Sequence, residues 1–249
     1  MMDTLLLAAG YSRRLYPLTE NFPKPLLDIG GRPIIEHILE KIKNISDINN
    51  IYIVTNNKYY NHFSDWRKNF KTNFKIEILN DGTLSNEDRL GAIGDINFTI
   101  QTKKINDDLL ILGGDQLFNF NLDNFINFFK ENKKDVTMVV EEKNKDFVKQ
   151  SSCVTLDKNL RITFFEEKPQ NPKSNLISRC MYIYKRDTLK LINQYLAEGN
   201  NSDQPGRFVQ WLYLKKDVLG FISKENVIDI GTHETLEKAR KEFTSFSSS

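Results

Sequence analysis

The chain reads as a doubly wound α/β fold, a mostly parallel, Rossmann-like mixed sheet flanked by helices with a small antiparallel lid subdomain, and three observations predict it. An uninterrupted apolar run, Leu5-Leu6-Leu7-Ala8-Ala9, ends at Gly10, the pattern of a strand buried on both faces that opens into a loop. Strand-length apolar runs then alternate with segments of helical spacing, the rhythm of βαβ units. From about residue 151 the rhythm changes to shorter alternating segments, which suit antiparallel strands.

Each element follows in order. Beyond the first strand, Pro17, Pro23 and Pro25 stiffen the chain and fix the approach of Lys24. Ile34, Ile35, Ile38, Leu39 and Ile42 stand at helical spacing behind Pro33, which suits a first helical turn. His37 on that helix reads as a surface or satisfied half-buried histidine. Residues 51–56 (IYIVTN) predict a second strand, residues 59–70 a helix, and residues 75–80 (KIEILN) a third strand. Residues 109–115 (LLILGGD) predict a central strand ending in two glycines and an acid, and residues 136–140 another. Residues 153–156, 161–165 and 181–184 predict short antiparallel strands that close over a site. Residues 235–243 predict a final helix, and residues 244–249 a mostly polar tail with too few apolar groups to order itself.

Composition narrows the class. A chain of 249 residues can bury one large α/β core. Lys+Arg 35 against Asp+Glu 33 leaves almost no net charge, which argues against nucleic acid or an anionic membrane as the main partner. No apolar run approaches the ~18 residues of a spanning helix, and the N-terminus lacks a signal-peptide pattern, so a cytoplasmic protein is expected. Cys153 and Cys180 stand far apart without Cys-x-x-Cys or paired His, which predicts packed thiols and no zinc site.

The loop after the first strand carries the chemistry. Gly10, Ser12, Arg13 and Arg14 place backbone N–H groups and two guanidinium groups just past the strand's carboxyl end, where open α/β sheets bind ligands. That combination is a polyphosphate cradle, and Lys24 adds a compact cation suited to one phosphate. No Gly-x-Gly-x-x-Gly follows the strand, and no Gly-Lys-Ser/Thr closes the loop, so dehydrogenase and P-loop readings fall.

The stretch from Leu5 to Leu27, LLLAAGYSRRLYPLTENFPKPLL, resembles the signature of the nucleoside-diphosphate-sugar pyrophosphorylases, roughly L-A-G-G-x-G-T-R-L-x-P-L-T-x-x-x-P-K-P-L. In that register Leu7, Ala8, Ala9 and Gly10 begin the nucleotide-binding loop, Arg14 is the signature Arg and Lys24 the Lys of P-K-P. Ser12 stands for a Gly and Arg13 for a Thr. The resemblance implies transfer of a nucleotidyl group from a nucleoside triphosphate to a sugar 1-phosphate, with release of pyrophosphate. Arg14 and Lys24 would be catalytic, and Arg13 would bind the nucleotide with the loop. About 1–150 would form the nucleotide-binding half and about 151–234 the acceptor-binding lid half of a single domain, 1–243.

The same resemblance assigns the remaining residues. Such chemistry needs a metal bridging the phosphates, and the family's G-G-D and D-I-G-T acids fall on Asp115 and Asp229, which would hold Mg²⁺. Gly114 lies in the first of these motifs. Asn80 would read the base through its amide, with the Leu90-Gly91 backbone close to base or ribose. Residues 83–89 form an insert unusual for the family. FEEKP (165–169) and PKSN (172–175) resemble the sugar-phosphate segment of glucose-1-phosphate thymidylyltransferases, so Glu167, Lys168 and Asn175 would hold the acceptor. Cys153 and Arg179-Cys180 replace small residues there, which predicts a narrower acceptor pocket and an added charge at Arg179.

Two other readings compete. Cytidylyl transfer to phosphocholine would use an aromatic cage, for which Phe164, Phe165, Tyr182 and Trp211 are available. A non-catalytic nucleotide-sugar sensor is disfavoured by the intact Lys24, Asp115 and Asp229. Assembly as a homo-oligomer stays open.

Overall fold

The structure, a computed structural model, describes residues 1–225 and 227–244. The chain begins with β1 (Met2–Leu7), passes through single 3₁₀ turns at Arg13–Leu15 and Lys24–Leu26, and forms a ribbon of β2 (Asp28–Ile29) and β3 (Arg32–Pro33). Then come α1 (Ile34–Ile42), β4 (Ile48–Thr55), α2 (Tyr60–Asn69), β5 (Lys75–Asn80), α3 (Ala92–Lys103) and β6 (Asp108–Gly113). The second half runs β7 (Gln116–Phe118), α4 (Leu122–Asn132), β8 (Asp135–Glu141), α5 (Lys145–Lys149), β9 (Ser152–Leu156), β10 (Ile162–Glu167) and β11 (Leu176–Tyr184). It closes with α6 (Arg186–Ala197), α7 (Gly206–Leu212), β12 (Val218–Ser223), β13 (Val227–Asp229) and α8 (His233–Thr244). The polar tail expected at 244–249 lies, beyond Thr244, outside the described residues.

β1 sits at the centre of the nine-stranded sheet, between β4 and β6, and is parallel to both. Its side chains alternate between two apolar layers: Leu6 packs with Ile34, Ile35 and Ile38 of α1, and Leu5 with Ile93, Ile96 and Ile100 of α3. That two-sided burial is why the run is apolar without alternation. The antiparallel strands do not form a separate sheet. β11 pairs with β6 through Met181–Tyr184, with β9 through residues 176–178, and with β8 along its other edge. Its register shifts between Ser178 and Tyr182, so Arg179 and Cys180 fall on an irregularity, a device that re-aims side chains beside functional clefts.

His37 is buried with its Nε2 2.8 Å from the Ile29 carbonyl and its ring edge-on to Phe243, and burial lowers its pKa, as expected of a satisfied core histidine. Among the described residues no helix is long and apolar enough to cross a membrane.

Candidate active site

The carboxyl ends of β1 and β6 open into a cleft of about 560 Å³. The loop after β1 forms one wall, through Ala8, Ala9, Gly10, Arg13 and Arg14. Ser12 adopts a left-handed conformation, φ 48 and ψ 39, and Thr19 Oγ1 donates to its carbonyl at 2.8 Å. This conformation is the reason a glycine suits the position, and serine meets it at a cost.

Asp115 and Asp229 line the same cleft. A short ribbon holds them together: β7 pairs antiparallel with β13, with Gln116 opposite Asp229, and the Ile230 N–H donates to the Asp115 carbonyl at 3.2 Å. Gly114 lets β6 end this way. Its N–H donates to the Leu7 carbonyl at 2.9 Å, and a Cβ there would lie 2.7 Å from that oxygen. Lys24 Nζ bridges the wall, donating to Asp115 Oδ2 at 2.5 Å and to the Ile230 carbonyl at 2.8 Å. Arg14 lies across the Gly231 turn; a side chain at Gly231 would come within 3.3 Å of its Nη2. Burial raises the Asp229 carboxyl above its ordinary pKa, and the facing Asp115 adds to the rise, while Lys24, Arg179 and Arg14 oppose it. Asp115 and Asp229 repel each other here, and Lys24, Arg179 and Arg14 lie within electrostatic reach to offset that repulsion.

Leu7, Ala8, Ala9, Gly10, Arg13, Arg14, Lys24, Gly91, Asp115 and Asp229 therefore line one cleft. Arg13 is also tied to Glu87 of the 83–89 insert at 2.5 Å, a largely exposed pair worth little by itself.

The other expected residues lie elsewhere. Asn80 ends β5, the edge strand two positions from β1, and its amide donates to Asn57 Oδ1 at 2.8 Å while its oxygen accepts the Gly82 N–H at 2.9 Å. It is not among the residues that line the cleft, and in the sheet order β4 stands between β5 and β1. Leu90 packs against Gly94 behind the wall. Gly91 does line the cleft, but its lack of a side chain serves a different neighbour: with φ +78, a Cβ would lie 2.6 Å from the Ser202 carbonyl oxygen. Ala92 and Ile93 donate to Asp203 and Ser202 at 3.2 and 2.8 Å, so these carbonyls seal the start of α3. Gly91→Ala is expected to destabilise the fold by about 1–3 kcal/mol, read as a lowered melting temperature.

Glu167 is half-buried against Gly206, beside Pro205 of the cleft wall; its carboxylate accepts from Ser152 Oγ, its N–H donates to Gln210 at 2.9 Å, and burial raises its pKa. Lys168 is exposed with φ 53. Asn175 is exposed, and its carbonyl accepts the Glu142 N–H at 2.8 Å. Arg179 lies within electrostatic reach of Asp229, its guanidinium 5.1 Å from the Phe147 ring and its Nε buried without a hydrogen-bond partner among the described residues. Cys153 corrects the expectation of a narrowed pocket: it is 0% exposed in the core, its Sγ 3.6 Å from the Ser174 carbonyl, because alternation along β9 turns it inward. Cys180, re-aimed by the irregularity in β11, lines the cleft instead.

No aromatic cage forms either. Phe165 and Tyr182 are buried, Tyr182 stacks on Tyr184, Trp211 stacks on Phe208, and Phe164 lies beneath Lys173. Tyr11, Asn86, Asp95 and Gln116 also line the cleft, residues to which the sequence pattern gives no role, and so does Arg89 of the 83–89 insert, which with Glu87 is open on sequence grounds to a contact with substrate or a neighbouring subunit. For Asp95 a signal existed, since it interrupts the apolar face that Ile93, Ile96 and Ile100 define.

Comparison with known proteins agrees with this geometry. Residues 3–245 match the nucleotidyl transferase family, and the chain belongs to it. A bifunctional protein GlmU of Methanocaldococcus jannaschii is 34% identical over 193 residues, 78% of this chain and 42% of that protein. One from Methanococcus aeolicus is 32% identical over 197 residues, again 42% of its length, so the chain spans about two fifths of these curated relatives. Among solved structures, UDP-glucose pyrophosphorylase complexed with UDP-glucose has a TM-score of 0.84 at 18% identity over 99% of each chain. HddC from Yersinia pseudotuberculosis gives 0.74 at 21%, over 98% of this chain and 100% of that one. Likeness at those identities is likeness of fold. Signature and fold agree with membership of the nucleotidyl transferase family.

Proposed function

We propose that the chain transfers a nucleotidyl group from a nucleoside triphosphate to a sugar 1-phosphate, giving an NDP-sugar and pyrophosphate. The observation that carries this reading is Lys24, whose ammonium bridges Asp115 and the Ile230 carbonyl in the cleft that Arg13 and Arg14 also line. In such a cleft Arg14 holds the triphosphate and Lys24 faces the α-phosphate. The acceptor's phosphate oxygen attacks α-phosphorus in line, the bond to the β-phosphate oxygen breaks, and pyrophosphate leaves with that electron pair. The attacking phosphate is ionised at neutral pH, so no general base is required. Lys168, whose charge reaches Asp203 of the cleft lining, orients the acceptor.

Asp115 and Asp229 fit Mg²⁺. Among the described residues no group of three or more His, Cys, Asp or Glu could hold a metal alone, and two carboxylates completed by phosphate oxygens and water are what this ion takes. When bound, the ion supplies charge neutralisation between the phosphates. Residues 1–243 act in this reading as one unit, with nucleotide handled by about 1–150 and acceptor by about 151–234; the passage of β11 into the central sheet supports it.

A panel of nucleoside triphosphates against several sugar 1-phosphates and phosphocholine, scored by pyrophosphate release, tests the proposal. Mg²⁺-dependent release with a sugar 1-phosphate is expected. Release with phosphocholine alone, or with no acceptor in the panel, would overturn it.

A further inference from the structure

The insert of residues 83–89 has no part in the reaction as derived above, yet it is held as an ordered turn beside the cleft. Asp88 accepts the Leu84 and Ser85 N–H groups at 3.0 and 2.7 Å, and Ser85 Oγ accepts the Glu87 N–H at 3.2 Å. Glu87 ties it to Arg13 of the phosphate loop, and Asn86 and Arg89 line the cleft.

Two acceptors fix Arg89. Its Nε donates to Asp203 Oδ1 at 2.9 Å and its Nη1 to the Asn86 carbonyl at 2.5 Å, which leaves Nη2 without a hydrogen-bond partner among the described residues. Asp203 brings Arg89 to the acceptor half. Three residues further on, Gly206 lies so close to Glu167 Oε2 that no side chain fits there, and the Glu167 N–H donates to Gln210 of α7 at 2.9 Å. The charges of Lys168 and Arg207 reach both Asp203 and Glu167. Three cations thus accompany two carboxylates, an excess of positive charge that suits an anion.

We propose, resting on the nucleotidyltransferase reading above, that Arg89 is a second cation for the acceptor: with Lys168 it holds the phosphate of the sugar 1-phosphate in position for attack. Two anions must meet in this cleft, and Arg14 and Lys24 serve the triphosphate. Their repulsion has to be offset on the acceptor side as well. Lys168 is an exposed point charge on a flexible stem, whereas the guanidinium of Arg89 offers N–H donors in one plane and is already oriented by Asp203 and Asn86. Little freedom is left for it to lose on binding. The Arg89–Asp203 pair is itself partly exposed and worth little, so Asp203 orients the guanidinium more than it neutralises it.

Steady-state pyrophosphate release with the two best acceptors among glucose, galactose, mannose and N-acetylglucosamine 1-phosphate, joined to calorimetric binding of the nucleoside triphosphate in Mg²⁺, tests this. Arg89→Ala should raise KM for both acceptors about tenfold or more, by factors that agree within about threefold because the phosphate is common to them. Triphosphate affinity should stay within about twofold, and kcat within about threefold. Arg89→Lys keeps the charge but loses the plane of donors, so an acceptor KM raised about threefold is expected, and this variant decides the matter if a melting curve shows Arg89→Ala to be unfolded. An unchanged acceptor KM, a rise confined to one sugar, a triphosphate affinity weakened as much as the acceptor KM is raised, or Arg89→Lys no better than Arg89→Ala would each overturn the proposal. No pyrophosphate release by the wild-type chain with any sugar 1-phosphate would instead overturn the nucleotidyltransferase reading on which it rests.

Discussion

Asp115→Asn and Asp229→Asn are each expected to abolish Mg²⁺-dependent pyrophosphate release while leaving the fold intact. Losing one of two carboxylate ligands removes charge stabilisation of several kcal/mol, and each ~1.4 kcal/mol is a tenfold loss of rate, so roughly a thousandfold or greater fall follows. The structure separates this loss from unfolding. Burial and Asp115 together disfavour the ionised form of Asp229 in the folded chain. A folded-state pKa above the unfolded value means that ionisation at neutral pH costs stability, so an isosteric neutral amide should leave the melting temperature unchanged or higher. Asp115→Asn weakens the contact with Lys24, but Lys24 keeps the Ile230 carbonyl. Near-normal release by either variant would remove that acid from the metal site.

Lys24→Ala is the second large effect. The ammonium is positioned by two acceptors and is mostly buried, its side chain 11% exposed, so it cannot relax into solvent and acts in a setting of reduced dielectric. Charge stabilisation of that kind counts most where negative charge accumulates in the transition state. A fall in kcat of about a hundredfold or more, with a smaller change in KM for the nucleotide, is therefore expected. Weaker nucleotide binding at unchanged kcat would make Lys24 a ground-state contact.

Residues whose role is local were legible before the structure. The run ending at Gly10, the prolines that deliver Lys24, and the acids closing G-G-D and D-I-G-T each sit at a strand end, and strand ends are visible as boundaries of apolar runs. These residues meet in the cleft. Asn80 also sits at a strand end, yet its strand is at the edge of the sheet, and lateral strand order leaves no local trace. Cys153 and Cys180 look alike in the sequence as replacements for small residues; Cys153 is buried in the core, and Cys180, beside a register shift, lines the cleft.

The sequence by itself determined the fold class, the phosphate loop and the acids that face it, because apolar periodicity, proline spacing and short motifs act through neighbours along the chain. Only the tertiary structure decided which half-buried polar residues share the cleft. Asp95 meets Asp81, a carboxyl fourteen residues away in sequence, and Gly91, with φ +78, lies so close to Ser202 and Asp203 that no side chain fits there. Those pairings depend on the order and register of packed elements, and the free energy that sets them comes from burying distant surfaces together.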